Sequence, residues 1–170
     1  MCAVAAVAPI VVMGVSGCGK STLAVSLANR LGWTFIEGDS YHSADNVRKM
    51  AAGIPLSDAD RQSWLGSLTT QLRSYPAGAV LSCSALKSDY RKMLRQAHPR
   101  LRFVFLDLEE VDAARRVSAR SGAHFFNPSL VHSQFETLQR PDAEPGVLRL
   151  DAMLPQAALF RQALAWVIAV

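Results

Sequence analysis

The sequence has few cysteines and no long apolar run, and each shortage excludes a class of protein. Only three cysteines occur in 170 residues. Cys2, Cys18 and Cys83 form no CxxC pair, which argues against a disulfide framework or a zinc site. No segment reaches the ~20 uninterrupted apolar residues of a membrane-spanning helix. The net charge of +4 is too small to indicate nucleic-acid binding by itself. We therefore expect a cytoplasmic protein with no membrane segment and no nucleic-acid partner.

The composition and the order of the apolar runs predict a single α/β domain over residues 1–170. Half of the residues are apolar and 19% are charged, an ordinary balance for a folded domain of this length. Near-continuous apolar runs are typical of parallel strands covered on both faces. They predict strands at 10–13, 33–36, 79–81 and 103–106, and a run interrupted by Arg149 predicts an edge strand at 147–150. Helical patterns at 21–31, 86–97, 109–120, 129–138 and 156–168, and one that begins at Ser57, indicate right-handed crossovers and a parallel sheet.

A glycine-rich segment from Gly14 to Ser21 matches the P-loop pattern G-x-x-x-x-G-K-[ST] at every fixed position. Its glycines let backbone N–H groups converge on phosphate oxygens. We expect Lys20 to bind the β- and γ-phosphates of ATP and the Ser21 hydroxyl to ligate Mg²⁺. The alternative is a glycine-rich turn that matches by chance. The predicted ATP-binding residues of the loop are Gly14, Ser16, Gly17, Cys18, Gly19, Lys20, Ser21 and Thr22.

A P-loop alone does not distinguish a kinase from a GTPase or a motor ATPase. A GTPase is expected to carry an N-K-x-D guanine motif, which this sequence lacks. A chain of 170 residues also leaves little room for the moving parts of a motor. A small-molecule kinase therefore fits best, and it requires a group that activates a hydroxyl.

Two acidic residues follow the second predicted strand, where an open parallel sheet binds its ligands. We expect Asp39 to lie near the P-loop and to orient or deprotonate the attacking hydroxyl as a catalytic residue. Glu37 could support Mg²⁺ through a water molecule. The alternative for Asp39 is a turn or helix cap before Ser40.

The order of residues from position 38 onward resembles the acceptor segment of the gluconokinases, small P-loop sugar-acid kinases related in fold to shikimate kinase and adenylate kinase. The resemblance spans about residues 10–151, and its motifs are specific only in combination. They are Gly38-Asp39-Ser40-Tyr41-His42, Asn46, Lys49-Met50, Gly53, Pro55-Leu56, Asp58, Asp60-Arg61, Trp64-Leu65, Cys83-Ser84-Ala85-Leu86-Lys87, Tyr90-Arg91, Phe103-Val104-Phe105-Leu106-Asp107, His124-Phe125-Phe126 and Ser133-Gln134-Phe135-Glu136-Thr137-Leu138.

This resemblance implies ATP-dependent phosphorylation of D-gluconate at its 6-hydroxyl, giving 6-phosphogluconate and ADP for carbohydrate metabolism. It also implies a P-loop kinase fold with strand order 2-3-1-4-5, a helical lid and a homodimer. The alternatives are a kinase for another small hydroxy acid, such as shikimate or a different aldonate, and a nucleotide-binding module without catalysis. The basic stretch at 87–102 is interpreted as a solvated helix face.

The acceptor-binding segment is expected at about residues 40–75. A carboxylate for a hydroxyl, cations for a carboxylate and hydrogen-bonding groups for a polyol suit a sugar acid. For each cation, Arg48 included, a solvated helix face is an equally good interpretation. Asp58, Asp60 and Trp64 are interpreted as structural. The predicted substrate-binding residues in this part of the chain are Asp39, His42, Asn46, Lys49, Lys87 and Arg91.

The lid is expected at about residues 116–137. Arg116 and Arg120 share one helix face, and in this class of kinase a lid arginine neutralises charge on the transferred phosphoryl group. We predict that Arg120 is the catalytic arginine, with Arg116 as the second candidate for that role. Both arginines are expected to bind ATP, and His124 is expected to bind substrate. The alternative is a basic helix C-terminus stabilised by the helix dipole. Three residues separate Arg120 from His124 where the family usually has two, so the register of the arginine stays open.

Overall fold

A five-stranded parallel sheet forms the centre of the computed structural model, which describes residues 8–120 and 127–169. The strand order is β2-β3-β1-β4-β5, so the predicted order 2-3-1-4-5 is confirmed. The strand interrupted by Arg149 lies at the edge of the sheet, as predicted. The strands are β1 (Ile10–Met13), β2 (Thr34–Glu37), β3 (Ala79–Ser82), β4 (Arg102–Asp107) and β5 (Val147–Asp151).

Seven α-helices within the described residues and a short 3₁₀ helix at Gly38–Tyr41 connect or follow the strands. The predicted caps are present: Gly32 ends α1 with a left-handed backbone, and Ser57 begins α3 in a capping box with Asp60. The predicted helix at 86–97 is shorter at both ends: it begins at Ser88, because Lys87 has an extended backbone, and it ends at Arg95 with Gln96 as its cap. The helices are α1 (Lys20–Leu31), α2 (Ala44–Ala51), α3 (Asp58–Arg73), α4 (Ser88–Arg95), α5 (Glu110–Ala119), α6 (Leu130–Thr137) and α7 (Gln156–Ile168).

Both faces of the sheet are buried, which explains why the strands read as near-continuous apolar runs. On β1, Ile10 and Val12 belong to a core with α1, α5 and α7, whereas Val11 and Met13 belong to a core with α3 and α4. Within the described ranges, no helix combines the length and the apolar character needed to cross a membrane. The two cores fix the sheet, and they leave the carboxyl ends of its strands to carry functional residues.

The loop after β1 lies at the centre of this edge, because β1 is the middle strand of the sheet. The Gly14 N–H donates to the carbonyl of Ser84, at 3.3 Å, which fastens the loop to the segment after β3. Gly14 has φ +145°, and a Cβ there would lie 2.7 Å from the carbonyl oxygen of Leu106 and 2.8 Å from the sulfur of Cys18. Only glycine fits this position.

A second close approach, at Gly38, predicts a large difference between two glycine substitutions. A Cβ on Gly38 would lie 2.2 Å from the carbonyl oxygen of Ser82, whereas a Cβ on the exposed Gly66 of α3 would meet nothing within 4 Å. Gly38→Ala should therefore lower the free energy of unfolding by about 1–3 kcal/mol through overpacking. Gly66→Ala should raise it by about 0.5–1 kcal/mol, because alanine favours a helix interior. Urea unfolding of both variants tests this pair, and equal effects would contradict the close approach of β2 to β3.

Candidate active site

The P-loop runs from β1 into α1 and is held from several sides. Lys20, the first residue of α1, donates from Nζ to the carbonyl of Val15 at 3.1 Å. A Cβ on Gly17 would lie 3.3 Å from the carbonyl oxygen of Ala113 in α5. Cys18 is fully buried beneath the loop, and burial raises the pKa of its thiol. Cys18 therefore fills space in the loop as an uncharged thiol.

The group that would ligate a magnesium ion, the Ser21 hydroxyl, lies 3.2 Å from the hydroxyl of the buried Ser82 at the end of β3. Burial raises the pKa of the next residue, Cys83, to about 12, and the charges of Asp39, Lys20 and Glu37 also act on this thiol. Glu37 ends β2 opposite Ser82 at the end of β3, and Asp39 follows β2, so hydroxyl and carboxylate oxygens, the ligands that a hard cation prefers, lie along one edge of the sheet.

These oxygen donors fit Mg²⁺ in particular. Among the described residues, no group of three or more His, Cys, Asp and Glu side chains could hold an ion without further ligands. Mg²⁺ is commonly bound through one or two protein groups together with water and substrate phosphates. The oxygen donors of Ser21 and Glu37 are therefore of the kind that binds Mg²⁺ together with a nucleotide.

Asp39 lies in the 3₁₀ turn after β2, and Trp64 of α3 fixes the residues on both sides of it. The buried Trp64 donates from Nε1 to the carbonyl of Gly38 at 2.8 Å. Its ring also stacks on His42, with the ring centroids 4.2 Å apart and 16° between the planes. Asp39 itself is exposed. Trp64 is thus a structural residue, as predicted, and its role is to position the turn that carries the Asp39 carboxylate.

His42 is held as a neutral ring. Burial lowers the pKa of His42 to about 4, and the positive charge of Arg61 lowers it further in the same direction. The Nδ1 atom is buried and has no hydrogen-bond partner among the described residues. A neutral imidazole suits a hydrogen bond to a polyol better than proton transfer at neutral pH.

The depressed pKa of His42 predicts a pH dependence of stability. Between about pH 4 and pH 6.5 the unfolded chain binds a proton at this residue that the folded chain does not. The free energy of unfolding should therefore fall as the pH is lowered through this window. His42→Phe keeps an aromatic ring on Trp64 and removes the titrating group. The free energy of unfolding of this variant, measured in urea, should therefore rise relative to that of wild type as the pH falls. Parallel curves for the two proteins would contradict the buried, neutral histidine.

Asn46 and Lys49 of α2 bind α3. The side-chain amide of the buried Asn46 donates to the carbonyl of Asp60 at 2.9 Å, and Lys49 Nζ lies 2.7 Å from the Asp60 carboxylate. The hydrogen bond from Lys49, followed by those from Ser57, lowers the pKa of Asp60 to about 2. Both predicted residues line a polar cavity of about 440 Å³, together with Ser43, Asp45, Arg48, Ala59, Asp60 and Ser63.

Lys87 reaches back to the acceptor segment from the loop after β3. Its Nζ lies 2.8 Å and 2.9 Å from the two carboxylate oxygens of Asp58, and Tyr90 also donates to Asp58. The hydrogen bond from Lys87 has the larger effect and that from Tyr90 the smaller, and both lower the pKa of Asp58. Asp58 therefore starts α3 as predicted and also ties α3 to the segment that carries Lys87.

Arg91 requires a correction, because the structure gives it a framework role in place of the predicted contact with a substrate carboxylate. Its side chain is 1% exposed. Nε donates to Glu144, Nη1 to the carbonyls of Ala85 and Leu86, and Nη2 to the carbonyl of Gln139 and to Glu144, at 2.5–3.1 Å. An arginine has five N–H donors, and all of them are used here. Arg91 thus joins the loop after β3 to the segment before β5.

Of the two predicted lid arginines, Arg116 is the one in contact with the P-loop. Its guanidinium donates to the carbonyls of Gly17 at 3.3 Å and Ala152 at 3.1 Å. Arg120 ends α5, and its side chain is exposed. His124 lies outside the described residues.

Three features of the site were not predicted. Arg61 lies between Tyr90 and His42: it donates to the Tyr90 hydroxyl at 3.2 Å, and its charge acts on His42. Arg61 lies four residues before Leu65 and therefore on the apolar face of α3, and a charged residue on that face indicates an inward-facing role. Gln134 accepts a hydrogen bond from the P-loop, and Gln156 at the start of α7 lies next to Gly19. The sequence offers no physical signal for the contact of Gln134.

Known proteins resemble this chain across the residues that build the site. A family model described as an AAA domain matches residues 10–141. The gluconokinase of Gluconobacter oxydans is 47% identical over 144 residues, which cover 83% of this chain and 80% of that protein. The thermoresistant gluconokinase of Escherichia coli is 42% identical over 151 residues, which cover 85% of each chain. A solved gluconokinase structure from Sinorhizobium meliloti has a TM-score of 0.86 and 45% identity, over 95% of this chain and 92% of that one.

Proposed function

Because the chain belongs to the gluconokinase family, we propose that it transfers the γ-phosphoryl group of ATP to the 6-hydroxyl of D-gluconate. The products are 6-phosphogluconate and ADP, which supply sugar-acid carbon to carbohydrate metabolism. The observation that supports the proposal is that the exposed carboxylate of Asp39 follows β2 at the same edge of the parallel sheet as the complete P-loop that follows β1.

The nucleotide binds along the P-loop in this proposal. The loop from Gly14 to Thr22 surrounds the phosphates and binds them through the backbone N–H groups that are not already bonded to Ser84, Gln134 or Val15, and the start of α1 adds partial positive charge. Lys20 exchanges its hydrogen bond to the Val15 carbonyl for phosphate oxygens. Ser21 would hold Mg²⁺, and Glu37 would support the ion through water. Bound Mg²⁺ supplies charge neutralisation on the β- and γ-phosphates.

The acceptor binds beside Asp39, which orients the 6-hydroxyl and accepts its proton as the bond to phosphorus forms. The neutral His42 ring hydrogen-bonds the polyol chain, and Asn46 and Lys49, which line the polar cavity between α2 and α3, are proposed as further substrate ligands. Lys87 and Arg61 supply positive charge for the sugar-acid carboxylate. Arg61 takes the place that Arg91 was expected to fill, because the donors of Arg91 are all used within the protein.

Positive charge from α5 completes the proposed site. Arg116 lies against the P-loop and is placed to bind the nucleotide. Arg120, one helical turn further along α5, is proposed to neutralise charge on the transferred phosphoryl group, with His124 as a substrate ligand. A lid formed by residues 116–137 would exclude water as a competing acceptor.

A panel of acceptors in an assay for ADP release tests the proposal. D-gluconate should be phosphorylated fastest among D-gluconate, other aldonates, shikimate and glycerate, and ADP release without an acceptor should be slow. Rapid turnover of another acid with no turnover of gluconate would contradict it. We also propose a cytoplasmic location, which the free thiols of Cys18 and Cys83 suit. A homodimer is proposed as well, to be tested by light scattering.

A further inference from the structure

A side chain of the short helix α6, Gln134, forms a hydrogen bond with the P-loop. The backbone N–H of Ser16, between Gly14 and Gly17, donates to Oε1 of Gln134 at 2.7 Å. The two residues are 118 positions apart and the contact is partly buried. This bond fixes the middle of the P-loop to α6.

The first turn of α6 contacts the acceptor segment. Leu130 forms a small cluster with Met50 and Leu56, separate from the two main cores, and all three side chains are buried. Asn127, just before α6, donates to the carbonyl of Ala51 at 3.4 Å. A Cβ on Gly53 would lie 2.8 Å from the Ser129 hydroxyl, so the end of α2 and the start of α6 fit closely.

These two contacts lie one turn apart on the same face of one helix, since Leu130 and Gln134 are at i and i+4. Leu130–Thr137 is about 12 Å long, too short to bend, and Val131 and Phe135 anchor it to the core. A shift of α2 is therefore passed to α6. It either displaces Gln134 from Ser16 or is opposed by the hydrogen bond between these two residues.

We propose that Gln134 is a positioning residue that couples the acceptor segment to the P-loop, so that gluconate and nucleotide bind cooperatively. The inference rests on the proposed function. A neutral amide suits this place, because it accepts the Ser16 hydrogen bond without bringing a negative charge beside the triphosphate. Coupling between two ligands is reciprocal, so it can be measured from either side.

Calorimetric titration of a non-hydrolysable ATP analogue, with Mg²⁺ and with or without saturating gluconate, tests the coupling. In the wild-type protein gluconate should tighten analogue binding by about fivefold or more, within the usual range for coupled sites. In Gln134→Leu each ligand alone should still bind, and the effect of gluconate should fall below about twofold. Gln162→Leu, the same change on the exposed face of α7, should behave as wild type.

Gln134→Glu separates the hydrogen bond from the packing of the helix. It keeps the acceptor oxygen and adds charge, so it should bind the analogue more weakly and retain the effect of gluconate. An equal effect of gluconate in wild type and Gln134→Leu would overturn the proposal, and so would gluconate binding to wild type without any effect on the analogue. If Gln134→Leu does not fold, loss of the gluconate effect in Gln134→Glu would overturn it. Gluconate that does not bind the wild-type protein at all, with or without nucleotide, would instead contradict the proposed function.

Discussion

Asp39→Asn is expected to lower kcat by about 10²- to 10⁴-fold, the usual contribution of a positioned general base. The amide keeps the size of the side chain and its exposed place in the turn between Gly38 and His42, but it cannot accept the hydroxyl proton. The hydrogen bond from Trp64 to the carbonyl of Gly38 holds the turn in place, so the fold around the substitution should persist. The affinity for the ATP analogue should be unchanged, since nucleotide binding rests on the P-loop.

Asp89→Asn is the matched control for this substitution. Asp89 is an exposed carboxylate on α4 whose partner is Lys92, and it lies outside the proposed catalytic group. Its kcat should equal that of wild type. Equal kcat values for Asp39→Asn and wild type would remove Asp39 from the mechanism, and a loss of analogue binding would place Asp39 in the nucleotide site instead.

Arg91→Met is expected to lower the free energy of unfolding by about 3–5 kcal/mol, the usual result of removing one partner of a buried ion pair. Methionine fills much of the space but leaves the carbonyls of Ala85, Leu86 and Gln139 without their donor. The carboxylate of Glu144 also loses the hydrogen bond that chiefly lowers its pKa. Urea unfolding at neutral pH measures the loss.

Lys92→Met provides the control on the same helix. Lys92 pairs with Asp89 at the surface, and its side chain is 71% exposed, so its loss should change stability by less than about 1 kcal/mol. If Arg91→Met keeps wild-type stability and raises the KM for gluconate, Arg91 is a substrate ligand after all. That outcome would contradict the framework role.

The sequence predicted the features that follow from local pattern. The P-loop is contiguous, and the apolar runs and the Ser57 and Gly32 caps are short-range signals, so the strands and most helices can be predicted from the residues alone. The strand order, in contrast, follows from the resemblance to a known family. Asp39 could be placed at the edge of the sheet because parallel strands all end there. These predictions required no knowledge of packing.

The remaining parts of the site depend on contacts between distant residues. Arg91 and Glu144 are 53 positions apart, and nothing in the sequence near either residue identifies its partner. For this reason the position of Arg91 after a strand predicts a substrate ligand, whereas the structure has a buried structural arginine there. Gln134 has the same difficulty, because an amide on a short helix gives no sign that its oxygen will face the P-loop. The position of Arg61 on the apolar face of α3 was the one informative exception.

Proton-coupled ³¹P NMR of the reaction mixture tests the central claim most directly. After incubation with Mg-ATP and D-gluconate, the account predicts a new phosphomonoester signal split into a triplet by the two protons on carbon 6, together with the signals of ADP. A doublet would place the phosphate on a secondary hydroxyl. A singlet from inorganic phosphate alone would mean that water is the acceptor. Either result would contradict a gluconate 6-kinase.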